Sequence, residues 1–300
     1  MKQGIALSVF SSFLFAGLYY YATVLEPLSG ASIFAWRVLL AVPVIALLIS
    51  RARDWSSVFS MHARVLREWR MCLALTASGS MLGVQLWLFM WAPLHGYALD
   101  VSLGYFLLPL VMVLVGKVIY GERLSRLQKW AVCLAALGVG HELLVIGRFS
   151  WATAIVMLGY PPYFMLKRRL RMGALAGLWF DMILLAPAAL WLLAHQETAV
   201  WVQFSERPAL LALVPILGVI SSTAMVCYLG ASRRLPLSLF GILGYVEPVM
   251  LFWVAFLLLG EPMTAQAWWT YLPIWGAVLI MVLEGVIAWG REQNRRTPVV

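Results

Sequence analysis

Four ionisable side chains of this 300-residue chain lie within long apolar stretches, or at the start of one. Arg37 and Asp181 each precede a proline by six residues, and Glu247 comes directly before Pro248. Asp100 lies near the start of another stretch. A guanidinium group can hold a carboxylate through two parallel hydrogen bonds. A carboxyl removed from water can exchange a proton near neutral pH, or it can meet an ammonium group. These residues are therefore candidates for binding a charged solute or a proton.

Each of these residues also has a structural explanation. Arg37 could hold helix carbonyls or Glu26, and Asp181 could pair with cytoplasmic arginines. Glu247 could be a permanently protonated carboxyl inside a bundle, and Asp100 could simply be solvated. At 1.5 Å per residue, Arg37 lies about 10 Å from the predicted outer end of its stretch, and Asp181 lies about as deep from the predicted inner end of its own stretch. A direct salt bridge between these two residues is therefore not expected.

Aromatic and amide side chains lie near the prolines of these stretches. Tyr and Trp combine an apolar face with a hydrogen-bonding tip, which suits an apolar or zwitterionic solute. Helix packing alone would explain any one of these side chains. The residues predicted to line a cavity are Arg37, Gln85, Trp87, Trp91, Tyr105, Phe106, Pro109, Tyr160, Tyr163, Tyr245, Glu247 and Pro248. The candidates for charge or proton coupling are Glu247, Asp181 and Asp100.

The elements that must position these residues are ten apolar stretches, each close to the roughly 20 residues with which a helix crosses a hydrocarbon core. They cover residues 4–24, 30–50, 71–92, 97–119, 127–147, 150–166, 173–194, 208–230, 236–259 and 266–289. The chain is 63% hydrophobic and 12% charged, whereas soluble domains have about 25% charged residues. We therefore predict an all-α integral membrane protein with ten transmembrane helices.

The positive charges fall almost entirely on one predicted side of this bundle. Nineteen of the 22 Lys and Arg residues lie before the first stretch, after the last, or at the connections that follow the second, fourth, sixth and eighth. Cytoplasmic segments collect Lys and Arg. We predict a multi-pass protein of the bacterial inner membrane with both termini in the cytoplasm. This topology explains the net charge of +9 by the lipid bilayer, and it argues against nucleic acid as a partner.

The second half of the chain echoes the first. Pro109 precedes Gly121-Glu122 by twelve positions, and Pro248 precedes Gly260-Glu261 by twelve. These two sets are offset by 139 residues. Matching motifs at one offset indicate an internal duplication of five helices plus five.

Two further pairs support the duplication. Gly79 and Gly218 share the offset of 139 residues, and Pro43 and Pro187 are 144 residues apart. Because five is odd, the second half must have the opposite orientation in the membrane. We predict two inverted five-helix repeats, residues 1–148 and 149–300. Inverted repeats are an architecture of secondary transporters, whose solute sites lie near interrupted helices at the repeat interface.

The residues around Pro109 resemble those of a known family. The run from Asp100 to Phe106, Pro109, and Gly121-Glu122-Arg123 look like span four of the drug/metabolite transporter superfamily, and within it of the EamA-type permeases of the RarD kind. The other matching stretches are Trp36-Arg37-Val38, Phe89-Met90-Trp91-Ala92, Tyr163 with Lys167-Arg168-Arg169, and Gly244-Tyr245 through Gly260-Glu261. The resemblance implies ten helices in two inverted repeats around a central cavity. It also implies export or exchange of small metabolites, including amino acids and drugs.

The motifs of enzymes and of nucleotide-driven pumps are absent from the sequence. No Gly-rich loop precedes a Lys-Ser or Lys-Thr pair, so ATP is not expected to drive the protein. His141-Glu142 lacks a second His at zinc-binding spacing. We predict no cofactor, no metal and no enzymatic activity. Energy would then come from a gradient or from exchange.

The sequence therefore predicts a secondary transporter that moves small organic metabolites by alternating access, with amino acids or their analogues as the leading class of substrate. The direction and the substrate class rest on the resemblance. A multidrug or chloramphenicol-type efflux permease is the alternative within transport. A membrane sensor or scaffold and an intramembrane enzyme are alternatives from other classes, and assembly into a homo-oligomer is left open.

Overall fold

The computed structural model describes residues 2–121, 124–141, 144, 149–170, 172–196, 198–235, 240 and 243–296. In these residues the regular structure is helical throughout, and no strand occurs. Long apolar runs fold as helices in a membrane because a helix satisfies its own backbone hydrogen bonds. The predicted all-α class is confirmed for this part of the chain.

The helices follow the apolar stretches along the chain. They are α1 (Lys2–Val24), α2 (Gly30–Ala52), α3 (Trp55–Arg67), α4 (Trp69–Trp91), α5 (Ala98–Tyr120), α6 (Arg126–His141), α7 (Trp151–Leu170), α8 (Ala174–Ala194), α9 (Val200–Glu206), α10 (Leu210–Arg234), α11 (Val246–Trp253) and α12 (Ala267–Arg296). A turn of 3₁₀-helix, Ala92–Leu94, follows α4. A π-helical segment, Val254–Leu258, continues α11.

Seven of the ten predicted spans are confirmed as helices that are long and apolar enough to cross a membrane. They are Gln3–Val24, Gly30–Ala52, Trp69–Leu94, Ala98–Ile119, Leu175–Ala194, Leu210–Ala231 and Ala267–Ile287. The other three predicted spans contain α6, α7 and α11, which do not meet that standard within the described residues. The protein is thus multi-pass, and the total of ten spans stays a prediction.

The helices divide into two compact units. Unit 1 consists of Met1–Ala16, Gly96–Pro161 and Ala224–Val300, and unit 2 consists of Gly17–His95 and Pro162–Thr223. Each unit therefore takes helices from both halves of the chain. The predicted repeat boundary between residues 148 and 149 concerns the sequence duplication, and it stays a prediction.

Unit 1 has an aromatic core in which α5, α6, α11 and α12 pack together. The ring of Phe252 lies 5.2 Å from that of Tyr271 and 4.9 Å from that of Trp275, measured between centroids. Offset and edge-to-face pairs at such distances are favourable beyond the area that they bury. The buried members of this core are Leu103, Phe106, Leu107, Leu110, Ala131, Ala135, Tyr245, Phe252, Tyr271, Ile274, Ala277 and Val278.

Unit 2 is built on α2, α4 and α8, which pack against one another. Ser29 caps the start of α2, because its hydroxyl accepts a hydrogen bond from the backbone N–H of Ser32 at 3.2 Å. Such a cap satisfies one of the donors that the first helical turn leaves open. The packed helices bury polar residues as well as apolar ones, and these polar residues include Arg37 and Asp181.

The two Gly-Glu motifs of the sequence end their helical segments in the same way. Gly121 follows α5 with a φ of 68°, and Gly260 follows the π-helical segment with a φ of 66°. Glycine adopts this left-handed conformation without the steric cost that a side chain would add. The paired glycines thus share a backbone conformation, as their positions in the predicted repeats require. Glu122 lies outside the described residues.

Candidate functional site

Asp181 is the centre of a buried polar site in unit 2. Its side chain is completely buried in α8. The ammonium group of Lys167 lies 2.8 Å from Oδ1, the Tyr163 hydroxyl donates to Oδ2 at 3.1 Å, and the Ser78 hydroxyl donates to Oδ1 at 3.3 Å. Lys167 also donates to the carbonyl of Gly177 at 2.9 Å. Helices α4, α7 and α8 thus converge on one carboxylate.

This arrangement agrees only in part with the structural explanation of Asp181. Its partner is a basic residue of the run that ends α7, but it is the lysine Lys167 and not one of the arginines that were expected. Removing two charges from water costs several kcal/mol for each ion, and their attraction offsets this only when hydrogen bonds satisfy the remaining atoms. The hydroxyls of Tyr163 and Ser78 meet that requirement. If the ion pair separates, Lys167 keeps its hydrogen bond to the carbonyl of Gly177, and Asp181 keeps those from Tyr163 and Ser78. The site could therefore bind or release a proton without losing all of its contacts.

Arg37 forms a second buried polar site in unit 2. Its Nε donates to the Ser221 hydroxyl at 3.0 Å, and its guanidinium carbon lies 5.4 Å from the centroid of the Phe89 ring. The Tyr19 ring packs on Phe89 at 4.8 Å between centroids. Glu26, one of the partners considered from sequence, is exposed. A planar cation held on an aromatic face and a hydroxyl is suited to carboxylate recognition.

Three of the predicted cavity residues lie on α4, in the same unit. Gln85 is buried, and it precedes Phe89 by one helical turn, so both face the side of α4 that carries the contact with Arg37. Trp87 and Trp91 are half-buried, and their rings lie 5.5 Å apart. The two tryptophans therefore form a small aromatic face of their own, one turn apart on the helix.

A tyrosine cluster lies in unit 1. The hydroxyls of Tyr105 and Tyr160 are 3.0 Å apart. Glu247 is half-buried, and it interacts electrostatically with Tyr228, as Tyr160 does. The Tyr228 ring lies 5.0 Å from that of Phe240. The structure thus brings together three residues predicted from sequence with Tyr228, which the prediction missed.

The other predicted residues of unit 1 belong to its packed interior. Phe106 and Tyr245 are buried in the aromatic core. The Tyr245 hydroxyl has no hydrogen-bond partner among the described residues. Pro248 is buried, and its carbonyl accepts a hydrogen bond from Ser102 at 3.2 Å, which joins α5 to α11. Pro109 lies within α5, but its side chain is outside those described.

Asp100 is half-buried near the start of α5. Its backbone carbonyl accepts a hydrogen bond from the Thr153 hydroxyl at 2.8 Å. The described residues contain no group of three His, Cys, Asp or Glu side chains that could hold a metal ion. The His141 ring instead lies 3.1 Å from the Thr270 hydroxyl.

Several residues that complete these sites were not predicted from the sequence. The hydroxyls of Ser78, Ser102 and Ser221 belong to apolar helices, where serine commonly bonds to its own backbone and so gives little signal. Lys167 was placed in a cytoplasmic connection because of the basic run that it begins. Tyr228 had the signal that marked Tyr105, an aromatic hydroxyl within an apolar stretch, and the same criterion would have found it.

The chain is similar over most of its length to proteins named as transporters or as RarD. It is 47% identical to the chloramphenicol-sensitive protein RarD of Pseudomonas aeruginosa, over 93% of each chain. It is 36% identical to an uncharacterized transporter of Haemophilus influenzae, over 96% of each chain. One solved crystal structure shares the fold with a TM-score of 0.54 at 16% identity, covering 94% of this chain and 98% of the other. No protein-family model matches the chain.

Proposed function

Because this chain belongs to the RarD family of the drug/metabolite transporters, we propose that it is a secondary transporter that moves small organic metabolites across the bacterial inner membrane by alternating access. The observation that carries the proposal is the placement of buried charged residues inside apolar helices. Arg37 and Asp181 are both at least nine-tenths buried in helices that are apolar enough to cross a membrane. Such residues are expensive in a bilayer, and they commonly mark solute or ion pathways.

Amino acids and their analogues are the substrate class that we propose first. Arg37 is the residue assigned to a solute carboxylate, because its guanidinium lies in a buried site with an aromatic face and a hydroxyl. Glu247 is assigned to an ammonium group or to a coupling proton, and Asp181 and Asp100 are further candidates for coupling. Net export is the proposed direction.

Efflux of drugs is the second candidate, and the tyrosine cluster favours it. Tyr105, Tyr160 and Tyr228 offer large apolar faces with hydroxyl groups, which fit amphipathic aromatic solutes. The Pseudomonas relative carries chloramphenicol sensitivity in its name. A chloramphenicol-type solute would use the aromatic surfaces without needing Arg37.

The proposed architecture is two inverted five-helix repeats with both termini in the cytoplasm. Two close approaches of helices within unit 2 support the repeats. A side-chain carbon added at Gly79 in α4 would lie 3.5 Å from Leu184 in α8, and one added at Gly218 in α10 would lie 2.9 Å from Leu40 in α2. Leu40 and Leu184 are 144 residues apart, which is the offset of the paired prolines. Helices that the proposed repeat would relate to each other thus approach their neighbours at equivalent positions.

Transport by the purified protein in liposomes tests the function and separates the two solute classes. We expect labelled amino acids to exchange across the bilayer, and unlabelled solutes of the same class to accelerate the exchange. Arg37→Lys is the informative variant, and Arg51→Lys, exposed on the same helix, is its control. Loss of amino acid exchange in the Arg37 variant alone supports the first class. Transport of chloramphenicol but of no amino acid would favour drug efflux instead of amino acid transport. Transport of neither solute would overturn the proposed function.

A further inference from the structure

The carboxylate of Glu261 closes the start of a helix that lies far from it in the sequence. Oε1 accepts the backbone N–H of Ala98 and Oε2 that of Leu99, both at 2.7 Å. The first four N–H groups of a helix have no partner within the helix. The residue that precedes α5, Tyr97, makes no side-chain cap. Glu261 therefore replaces the local cap with a tertiary one, which we name the Glu261 clasp.

The same turn of α5 is also held by two other elements. The Tyr271 hydroxyl of α12 donates to the carbonyl of Leu99 at 3.0 Å. The Thr153 hydroxyl of α7 donates to the carbonyl of Asp100 at 2.8 Å. The clasp differs from these bonds because it satisfies two amides with a single side chain that can lose its charge.

Glu261 is well placed to transmit a movement. It follows Gly260, and its own N–H donates to the carbonyl of Ala255 within the π-helical segment at 3.1 Å. Segments of π-helix often occur at functional sites. One turn into α5, Ser102 bonds to the carbonyl of Pro248, and Tyr105 of the tyrosine cluster follows. The clasp thus connects the end of the π-helical segment to the helix that carries predicted solute contacts.

Burial raises the pKa of Glu261 above its ordinary value, and the two amide hydrogen bonds offset this only in part. A released, solvated Glu261 would return to the ordinary pKa of a glutamate carboxyl. The clasped carboxyl therefore binds a proton more tightly than the released one, so acid favours the clasp and alkali favours its release. Other titratable groups near this turn are Tyr97 and Asp100 at the start of α5, Tyr271 on α12, and His141 on α6, which bonds to Thr270.

We propose that Glu261 is a positioning residue whose clasp holds α5 in place, and that release of the clasp is linked to release of a proton and opens this end of unit 1. The proposal rests on the proposed transport function, and the predicted topology places this end on the periplasmic side. Closure would then trap a proton at the outer end of the helix that carries Tyr105.

Labelling of a cysteine at position 98 tests the clasp without any solute. Ala98 is completely buried, so Ala98→Cys in a full-length protein without other cysteines should react slowly with a membrane-impermeant maleimide in liposomes. Glu206→Gln is the matched control, because Glu206 is exposed in the connection predicted to lie on the same side. Comparing variants at the same pH cancels the pH dependence of the thiol itself.

We expect labelling relative to the control to rise with increasing pH when Glu261 is present. Glu261→Gln should remove that rise, and Glu261→Ala should label about tenfold faster at every pH, because both hydrogen bonds to the amides of α5 are lost. A Glu261→Gln protein that keeps the pH response, or a Glu261→Ala protein that labels like the control, would overturn the proposal.

Solute exchange provides the second measurement. If the proposal holds, Glu261→Gln flattens the pH profile of exchange and leaves the concentration of solute at half-saturation unchanged. A changed half-saturation with an unchanged pH profile would contradict the positioning role. If no solute exchanges in the unsubstituted protein, the proposed function fails, whereas the labelling result still decides for or against the clasp.

Discussion

In unit 2 the Asp181 carboxylate is completely buried and faces an ammonium group 2.8 Å away. In unit 1 the Glu247 carboxylate is half-buried and interacts with Tyr228, whose hydroxyl carries no full charge. The charge of Asp181 is therefore balanced by Lys167 in a fully buried site, whereas Glu247 lies in a half-buried site with the tyrosine cluster. The two carboxylates thus lie in different surroundings, and we expect them to have different roles.

The largest effect is expected from Lys167→Met, which leaves the fully buried Asp181 without its cation. Breaking a buried ion pair by removing one partner costs about 3–5 kcal/mol. Thermal unfolding in detergent should therefore show a large loss of stability. The control Lys129→Met, which removes an exposed lysine, should change the thermal stability little.

The double variant Lys167→Met with Asp181→Asn sharpens this test, since it removes both charges together. We expect it to recover most of the stability lost in Lys167→Met. Recovery of stability with normal exchange would show that the pair is structural. A lost response to a pH gradient in the stable double variant would show that the pair takes part in coupling.

The second effect concerns Arg37, a buried cation of unit 2 that packs over the Phe89 ring and donates a hydrogen bond to Ser221. Arg37→Lys keeps the charge but loses the planar fork that matches a carboxylate. Hydrogen bonds to charged groups contribute about 1.5–3 kcal/mol, so half-saturation by carboxylate solutes should rise by roughly tenfold or more. Neutral solutes should be unaffected, and equal losses for both kinds of solute would contradict the assignment.

The smallest and most selective effect is expected from Glu247→Gln, which keeps the size of the side chain but cannot ionise. If Glu247 couples protons, the variant loses the response to an imposed pH gradient and retains exchange without one. If Glu247 holds a solute amine, exchange itself weakens for amines only. Wild-type rates and pH response for several solutes would show that Glu247 is only a packed carboxyl. The expected difference in role between Glu247 and Asp181 would then be wrong. Glu206→Gln is again the control.

Much of the architecture could be predicted from the sequence because its causes are local. The length of an apolar stretch decides whether a helix can span a membrane, and seven stretches are confirmed on this criterion. The motif around Tyr105 and Pro109 was enough to indicate the family, and the relatives confirm it. Paired glycines after α5 and after the π-helical segment were predicted as equivalent, and they share their backbone conformation.

The partners of the polar residues could not be predicted in the same way. Asp181 was considered as a partner of cytoplasmic arginines, but its cation is Lys167, which the sequence could not select from a run of adjacent Lys and Arg side chains. Ser78 and Ser221 gave no signal, and Tyr228 was passed over although Tyr105 was not. Such choices depend on which faces of distant helices meet, and apolar periodicity within one helix carries no information about that.

By itself, the sequence determined that the protein is helical, multi-pass and related to the drug/metabolite transporters, since hydrophobicity, charge placement and short motifs act over a few residues. Only the tertiary structure decided that Lys167 neutralises Asp181, that Ser221 and Phe89 hold Arg37, and that Glu261 closes α5. The physical reason is the range of the interactions. A hydrogen bond or an ion pair requires two groups within about 3–4 Å, and Glu261 reaches Ala98 across 163 residues of chain.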